Sequence, residues 1–396
     1  MAQVYPKSAE VSRARGVTLV TLVTRNALTL HVYPGTPSPS YSTTMRPHQP
    51  DYRRIVDAAK NRPSALIPLY EHNISTPVLS AILDRDLEAL FAGDVSDRTE
   101  GFRLASAYLA SIGYDVYAFE GCITDLVQGG RALMGRAASL IRDRKDLDSY
   151  PWETLPDRYF ERFSPSFDAL RAALPPGMKA LAGVGNGPFE IAQDFVPLTE
   201  LAYLEVDEPD VFAALWQRIG ETMHAIWKRF LDRYADLFCV CRIGDDLGFK
   251  TSLLMRPQVI REHVLPQYTR IVELVHGHDK PFLLHSCGAI WEVMDDLIDV
   301  CGIDAKHSNE DAVAPFTLWL ERYGGRIGNF GGIDMNVLCM EGEDTIEEYV
   351  LAVLREAKQY PGVAIGSGNQ IAEYVPPAGF LAMVETVREF NESTLV

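Results

Sequence analysis

The chain has 396 residues, 47% of them apolar, which is ample to bury a large core. Acidic residues outnumber basic ones 54 to 37, a formal charge of −17, which argues against nucleic acid or an anionic membrane as the main partner. The six cysteines (Cys122, Cys239, Cys241, Cys287, Cys301 and Cys339) follow no disulfide spacing, and no apolar run nears the roughly 18 residues of a membrane span; reduced thiols and a cytoplasmic location are expected.

Residues 1–50 differ from the rest. The stretch 17–24 (VTLVTLVT) alternates apolar residues with threonine, Arg25-Asn26 follows, and 27–33 (ALTLHVY) alternates again, the pattern of a β-hairpin. Threonine interrupts the apolar run and no convincing small-residue cleavage site follows, so it reads as strand and not as a secretion signal. The stretch 34–50 is rich in Pro, Ser and Thr and reads as a linker. Residues 1–50 are therefore expected to be an appendage, with the hairpin a candidate contact in a homodimer. Residues 51–396 form the second expected unit.

From residue 51 onward, short apolar runs recur, each followed by a helical pattern. In chain order they are 65–70 (ALIPLY), 114–120 (YDVYAFE), 179–185 (KALAGVG), 237–244 (LFCVCRIG), 281–287 (PFLLHSC), 302–308 (GIDAKHS), 326–332 (RIGNFGG) and 362–368 (GVAIGSG). Amphipathic stretches such as 207–231, 257–276 and 345–358 lie between them. Buried-looking strands alternating with helices mean a parallel sheet, and eight such units fit an α/β fold of the (β/α)8 TIM-barrel class with an N-terminal β-hairpin extension. A doubly wound open sheet is the alternative, but no G-x-G-x-x-G follows the first strand to favour it.

In such a barrel the active site lies where the strands end. The strand ends carry Glu71, His72 and Asn73; Glu120 and Cys122; Arg242, Asp245, Asp246 and Lys250; His285, Ser286 and Cys287; His307, Asn309 and Glu310; Asp334; and Ser367 and Asn369. Barrel tops must also cap themselves with polar residues, which accounts equally well for any one of these. The sharpest signal is His285-Ser286-Cys287. Residues i and i+2 on a strand share a face, so an imidazole and a thiolate can meet zinc at about 2.0 and 2.3 Å. On spacing alone, a hydrogen-bonded His and a buried Cys explain the pair more readily. Asp245 and Asp246 are adjacent and point opposite ways, so one is expected in the pocket, unless the pair serves as a helix cap. Cys239 and Cys241 are expected to share one strand face and to fill the core.

The region from about Asp51 to Glu392 resembles the uroporphyrinogen decarboxylase superfamily, which includes zinc- and corrinoid-dependent methyltransferases. The matching stretches are 245–250 (DDLGFK), 281–288 (PFLLHSCG), 323–334 (YGGRIGNFGGID) and 366–377 (GSGNQIAEYVPP), followed by 380–384. The resemblance implies a (β/α)8 barrel. The decarboxylase branch opens with an arginine-rich segment that grips carboxylates; here Glu71-His72-Asn73 stands in its place. The methyltransferase branch carries zinc on a His-x-Cys and a later Cys. His285 and Cys287 match the first two positions and Ser367 falls at the third, a poor ligand that Glu310, Asp246, Glu71 or His72 would have to replace.

Methyl transfer is the first function this implies: a small-molecule methyl donor or acceptor, zinc at His285 and Cys287 with Ser367 or Glu310 beside them, and a corrinoid carried by a partner protein. Glu71, His72, Glu120 or Asp246 would serve as proton donor, and Asn73, Arg242, Lys250 and Asn369 would contact substrate. The alternative is metal-free carboxy-lyase chemistry on a porphyrinogen or aromatic acid, with Asp246 facing a cationic intermediate and Arg242 or Lys250 holding carboxylates. A non-catalytic barrel that binds a corrinoid or another small molecule is the third reading.

Overall fold

Seven of the eight apolar runs form strands in the computed structural model, which describes residues 47–130 and 138–394 and the backbone of three segments before residue 34. The chain divides into two compact units, Met1–Pro47 and His48–Val396. In the first, β1 (Ala9–Ala14), β2 (Val17–Thr24) and β3 (Ala27–Tyr33) pair antiparallel in that order. The turn expected at Arg25-Asn26, and residues 34–46 of the expected linker, lie outside the described residues.

The second unit is built on a parallel sheet. Its strands are β4 (Val116–Cys122), β5 (Lys179–Gly185), β6 (Phe238–Gly244), β7 (Phe282–His285), β8 (Ala305–His307), β9 (Gly328–Ile333) and β10 (Val363–Ser367), paired in chain order. Helices separate the strands, the longest being Pro209–Tyr234. Pro266 cannot donate to the carbonyl four residues back, and the helical stretch expected at 257–276 widens into a π-turn at Ile260–Val264 just before it. Among the described residues no helix is long and apolar enough to cross a membrane.

The run 65–70 departs from expectation. It is not a regular strand; only Leu69 makes parallel bridges, to Tyr114 on one side and to Ile365 of β10 on the other. Pro68 has no N–H to give the ladder, so its carbonyl accepts from Ile365 while Tyr70 N–H donates to the Ile365 carbonyl. Both edges of the seven-stranded sheet thus meet on one short segment, in a TIM-barrel-like arrangement.

Side chains alternate along each strand, and this sets two layers inside the sheet. Val116, Leu181, Val240, Leu283, Ala305, Phe330 and Ala364 form one buried apolar cluster with Tyr70, closed below by Ile55, Ala58 and Ala59 of the helix Arg53–Ala59. Two residues further on lie Arg242 after Val240, His285 after Leu283 and His307 after Ala305, all buried. Cys239 and Cys241 do not share a face as expected. The β5–β6 register shifts at Ala180/Leu181, a bulge that puts Cys239 in the inner cluster, while Cys241 packs in the outer one. Leu283 is fully buried in the inner layer. Leu283→Ala is therefore expected to lower the unfolding free energy by about 2–5 kcal/mol in urea titration, against at most about 0.5 for Val300→Ala on the surface.

Candidate active site

The polar layer is set by register. β6 and β7 pair Gly244 with His285, and β7 and β8 pair His285 with His307, so the two imidazoles stand side by side at one height. Their Nδ1 atoms are 2.7 Å apart, and His307 Nε2 lies 3.1 Å from the Ser367 carbonyl oxygen on β10. The ring of His72, from the segment that joins the sheet edges, stacks on His285 with centroids 3.8 Å apart.

His285 Nε2 faces the opposite way. It lies 3.6 Å from Cys287 Sγ and 3.9 Å from Asp246 Oδ1. The three donor atoms of Asp246, His285 and Cys287 all fall within 4.8 Å of one another. The thiol has further neighbours. Ser308 Oγ is 3.6 Å away, and Asn369 Nδ2 donates to Cys287 Sγ at 3.4 Å and to Glu310 Oε1 at 2.9 Å. Cys287 N–H donates to Asp246 Oδ1 at 2.8 Å, which ties the loop after β7 to the loop after β6.

Asp245 and Asp246 diverge. Asp245 is fully buried and accepts from the backbone N–H of Phe189 and Glu190 and from Tyr268 Oη, capping the helix Pro188–Phe195 from outside. Asp246 turns to the Cys287 side. Burial raises the pKa of both carboxyls, Asp245 to about 7.

Ser367 was expected beside the metal ligands and is not there. Its N–H and Oγ both donate to the Glu71 carboxylate. The strand alternation that turns His307 toward the Ser367 carbonyl leaves the serine hydroxyl on Glu71. Burial pushes Glu71 up to about 8, against those bonds. Arg242, expected to hold substrate, is engaged internally. Nη1 donates to the His72 carbonyl and Tyr70 Oη, and Nη2 to Glu120 Oε2 at 2.8 Å; only Nε lacks a partner. Lys250 and Asn73 are exposed on loops rather than in this cluster. Glu310 reaches the thiol through Asn369 and is not one of the three converging donors.

Between these walls a gap lies over Gly244. A Cβ there would meet only His72 Cε1 at 3.7 Å and His285 Cδ2 at 3.9 Å. Neighbouring Gly185 faces Glu120 and Cys122. The Gly244 position is thus bordered by His72 and His285, and Glu120 stands on the Gly185 side.

Burial opposes charge on most groups of this region. It holds His285 and His72 well below the ordinary histidine range and takes His307 down to about 3. It also raises the Cys287 thiol, with Asp246 adding to the effect. Behind the site Lys306 lies 3.7 Å over the Trp319 ring, donates to the Ser308 carbonyl, and is brought down to about 7 by burial. A dication among a thiol, an imidazole and a carboxyl would supply the charge that burial withholds from the thiolate, so the donor set fits zinc. Lys306 is absent from the residues the sequence singled out, and His307 stood among the strand-end residues without a role. The repeated pattern of an apolar residue, a spacer and His, at Leu283–His285 and Ala305–His307 on consecutive strands, is the signal that marks His307.

The family model for uroporphyrinogen decarboxylase (URO-D) matches residues 135–390. A curated relative, uroporphyrinogen decarboxylase from Pelobacter propionicus, is 26% identical over 225 residues. That match covers 54% of this chain, which spans 61% of the relative's length. Among solved structures, a methyltransferase from Methanosarcina mazei aligns with a TM-score of 0.62 at 17% identity, over 85% of this chain and 98% of that one, a likeness of fold.

The buried Glu71 generates a pH prediction. Its carboxyl ionises near 4.5 when exposed and near 8 in the fold. A raised acid supports the fold at low pH, and that support is lost as pH rises from about 4.5 through about 8. Across this window the wild type should lose about 1.4 kcal/mol of stability per pH unit more than Glu71→Gln, read by urea titration at each pH.

Proposed function

Because the chain belongs to the uroporphyrinogen decarboxylase (URO-D) family, we propose that it is an enzyme of that family's methyltransferase kind. It moves a methyl group between a small substrate and a cobamide, which a corrinoid-binding partner protein carries in the cytoplasm. In this reading residues 51–396 form a closed (β/α)8 barrel, and the hairpin in residues 1–50 serves a homodimer contact.

The observation that carries the proposal is the convergence of Asp246, His285 and Cys287 at the ends of β6 and β7. These three would hold zinc, with Glu310 within reach through Asn369. Zinc bound there would supply a Lewis acid, made more electrophilic by an aspartate oxygen where a second thiolate could stand. The remaining work falls to the protein's own side chains. Asn369 and Ser308 orient the Cys287 sulfur. Arg242 fixes Glu120, whose carboxylate can orient a substrate by accepting a hydrogen bond from it. The proton for a leaving oxygen or nitrogen comes from Glu71, clamped by Ser367 and pushed up to about 8 by burial. That arrangement favours O- or N-demethylation. The cobamide is assigned to no residue of this chain; the TM-score of 0.62 with a methyltransferase supports room for such chemistry in this fold.

A second reading, carboxy-lyase chemistry on a porphyrinogen or aromatic acid, is favoured by the unpaired Arg242 Nε–H, which could meet a substrate carboxylate, and by the name of the curated relative. Elemental analysis and turnover separate the two. Methyl transfer predicts about one zinc per chain, lost in Cys287→Ala, and methylation of free cob(I)alamin by a methoxylated or N-methylated substrate, with at least about a 100-fold lower rate in Cys287→Ala. Zinc-free protein that releases CO₂ from a carboxylated substrate would establish the carboxy-lyase instead.

A further inference from the structure

We propose that His307 is a positioning residue that fixes which nitrogen of His285 is free, and thereby the side from which a metal can bind; this rests on the metal-centre reading above. His307 Nε2 lies 3.1 Å from the Ser367 carbonyl oxygen. A carbonyl oxygen only accepts, so this nitrogen carries the hydrogen. A neutral imidazole has one N–H, which leaves His307 Nδ1 as an acceptor. Its partner 2.7 Å away is His285 Nδ1, which must then be the donor. The free lone pair of His285 is therefore on Nε2, the atom that faces Cys287 Sγ and Asp246. The chain Ser367 carbonyl, His307, His285 sets the tautomer of a prospective ligand from the far side of its ring, a use of outer hydrogen bonds that tunes metal sites generally.

Two further features agree. Gly331 on β9 has φ of 98°, and a Cβ there would stand 2.7 Å from His307 Cδ2, 2.9 Å from its Nε2 and 3.0 Å from the Ser367 oxygen. Only glycine leaves room for that hydrogen bond. The relay also decides between the two donor groups at this site, His72/His285/His307 and Asp246/His285/Cys287. In the first, the Nδ1 atoms of His285 and His307 are engaged with each other, His307 Nε2 is engaged with Ser367, and the His72 ring lies stacked on His285. Lone pairs lie in the ring plane, so stacked rings direct them side by side and not to one point. The second group is the one the relay leaves open. Ser367 thus acts through its backbone carbonyl, and its hydroxyl is dispensable to the relay.

Long-range proton–nitrogen correlation spectra of metal-free protein labelled with ¹⁵N-histidine test this directly. The expected result is hydrogen on Nδ1 of His285 and on Nε2 of His307, unchanged in Ser367→Ala. Hydrogen on Nε2 of His285 would overturn the proposal whatever the metal content. Zinc affinity, measured by competition with a chromophoric chelator, is expected to fall about 10–100-fold in His307→Phe and to recover in part in His307→Gln, whose amide can both accept and donate. The cobalt(II)–thiolate absorption band should persist in both variants, because the ligands remain. An affinity in His307→Phe equal to wild type overturns the positioning role. Should His307→Phe not fold, the wild-type and Ser367→Ala spectra decide the matter alone. Wild-type protein that binds no zinc but shows the expected tautomers refutes the metal reading and leaves the relay standing.

Discussion

Parallel pairing holds side chains of equal register at equal height, and everything in this site depends on that constraint. Gly244, His285 and His307 are matched across β6, β7 and β8. The matching puts one small residue and two imidazoles on the same level, with apolar Leu283 and Ala305 directly beneath the imidazoles and Arg242 beneath Gly244. A slip of one residue in β7 or β8 would turn its imidazole outward and bring its neighbour in. The fold is therefore what makes the histidine pair a pair, and the apolar layer is what keeps its height fixed.

Burial and charge oppose each other in this layer. The pocket holds more carboxyls than cations, yet burial raises Glu71, Asp245 and Asp246 and keeps the imidazoles neutral. The cations nearby are themselves engaged: Arg242 with Glu120, Tyr70 and the His72 carbonyl, Lys306 with Trp319 and the Ser308 carbonyl. Burial thus disfavours charge on this floor, and added positive charge would draw the thiol and a carboxyl toward their ionised forms. Glu120 stands apart from that floor, half-buried and paired with Arg242.

Much of this was legible in the chain. Apolar runs closed by small or polar residues marked seven strands, one of them, Lys179–Gly185, to the residue. The i, i+2 spacing of His285 and Cys287 is enough to say that the two can share a side. What could not be read depends on register and on loop paths. Ser367 occupies the sequence position of a ligand but faces Glu71, because the orientation of β10 against the first segment decides it. Arg242 looked free for substrate because its partners Tyr70, His72 and Glu120 are more than a hundred residues away in sequence. The bulge beside Cys239 and the loss of regular strand at 65–70 each follow from backbone detail, a register shift in one case and Pro68 in the other.

The central claim is that one sulfur, one imidazole and one carboxylate converge on a metal. X-ray absorption at the zinc edge of protein purified with its metal tests it most directly. The account predicts a single sulfur near about 2.3 Å together with nitrogen and oxygen near about 2.0–2.2 Å. A shell without sulfur, or one built from several imidazoles, would contradict it.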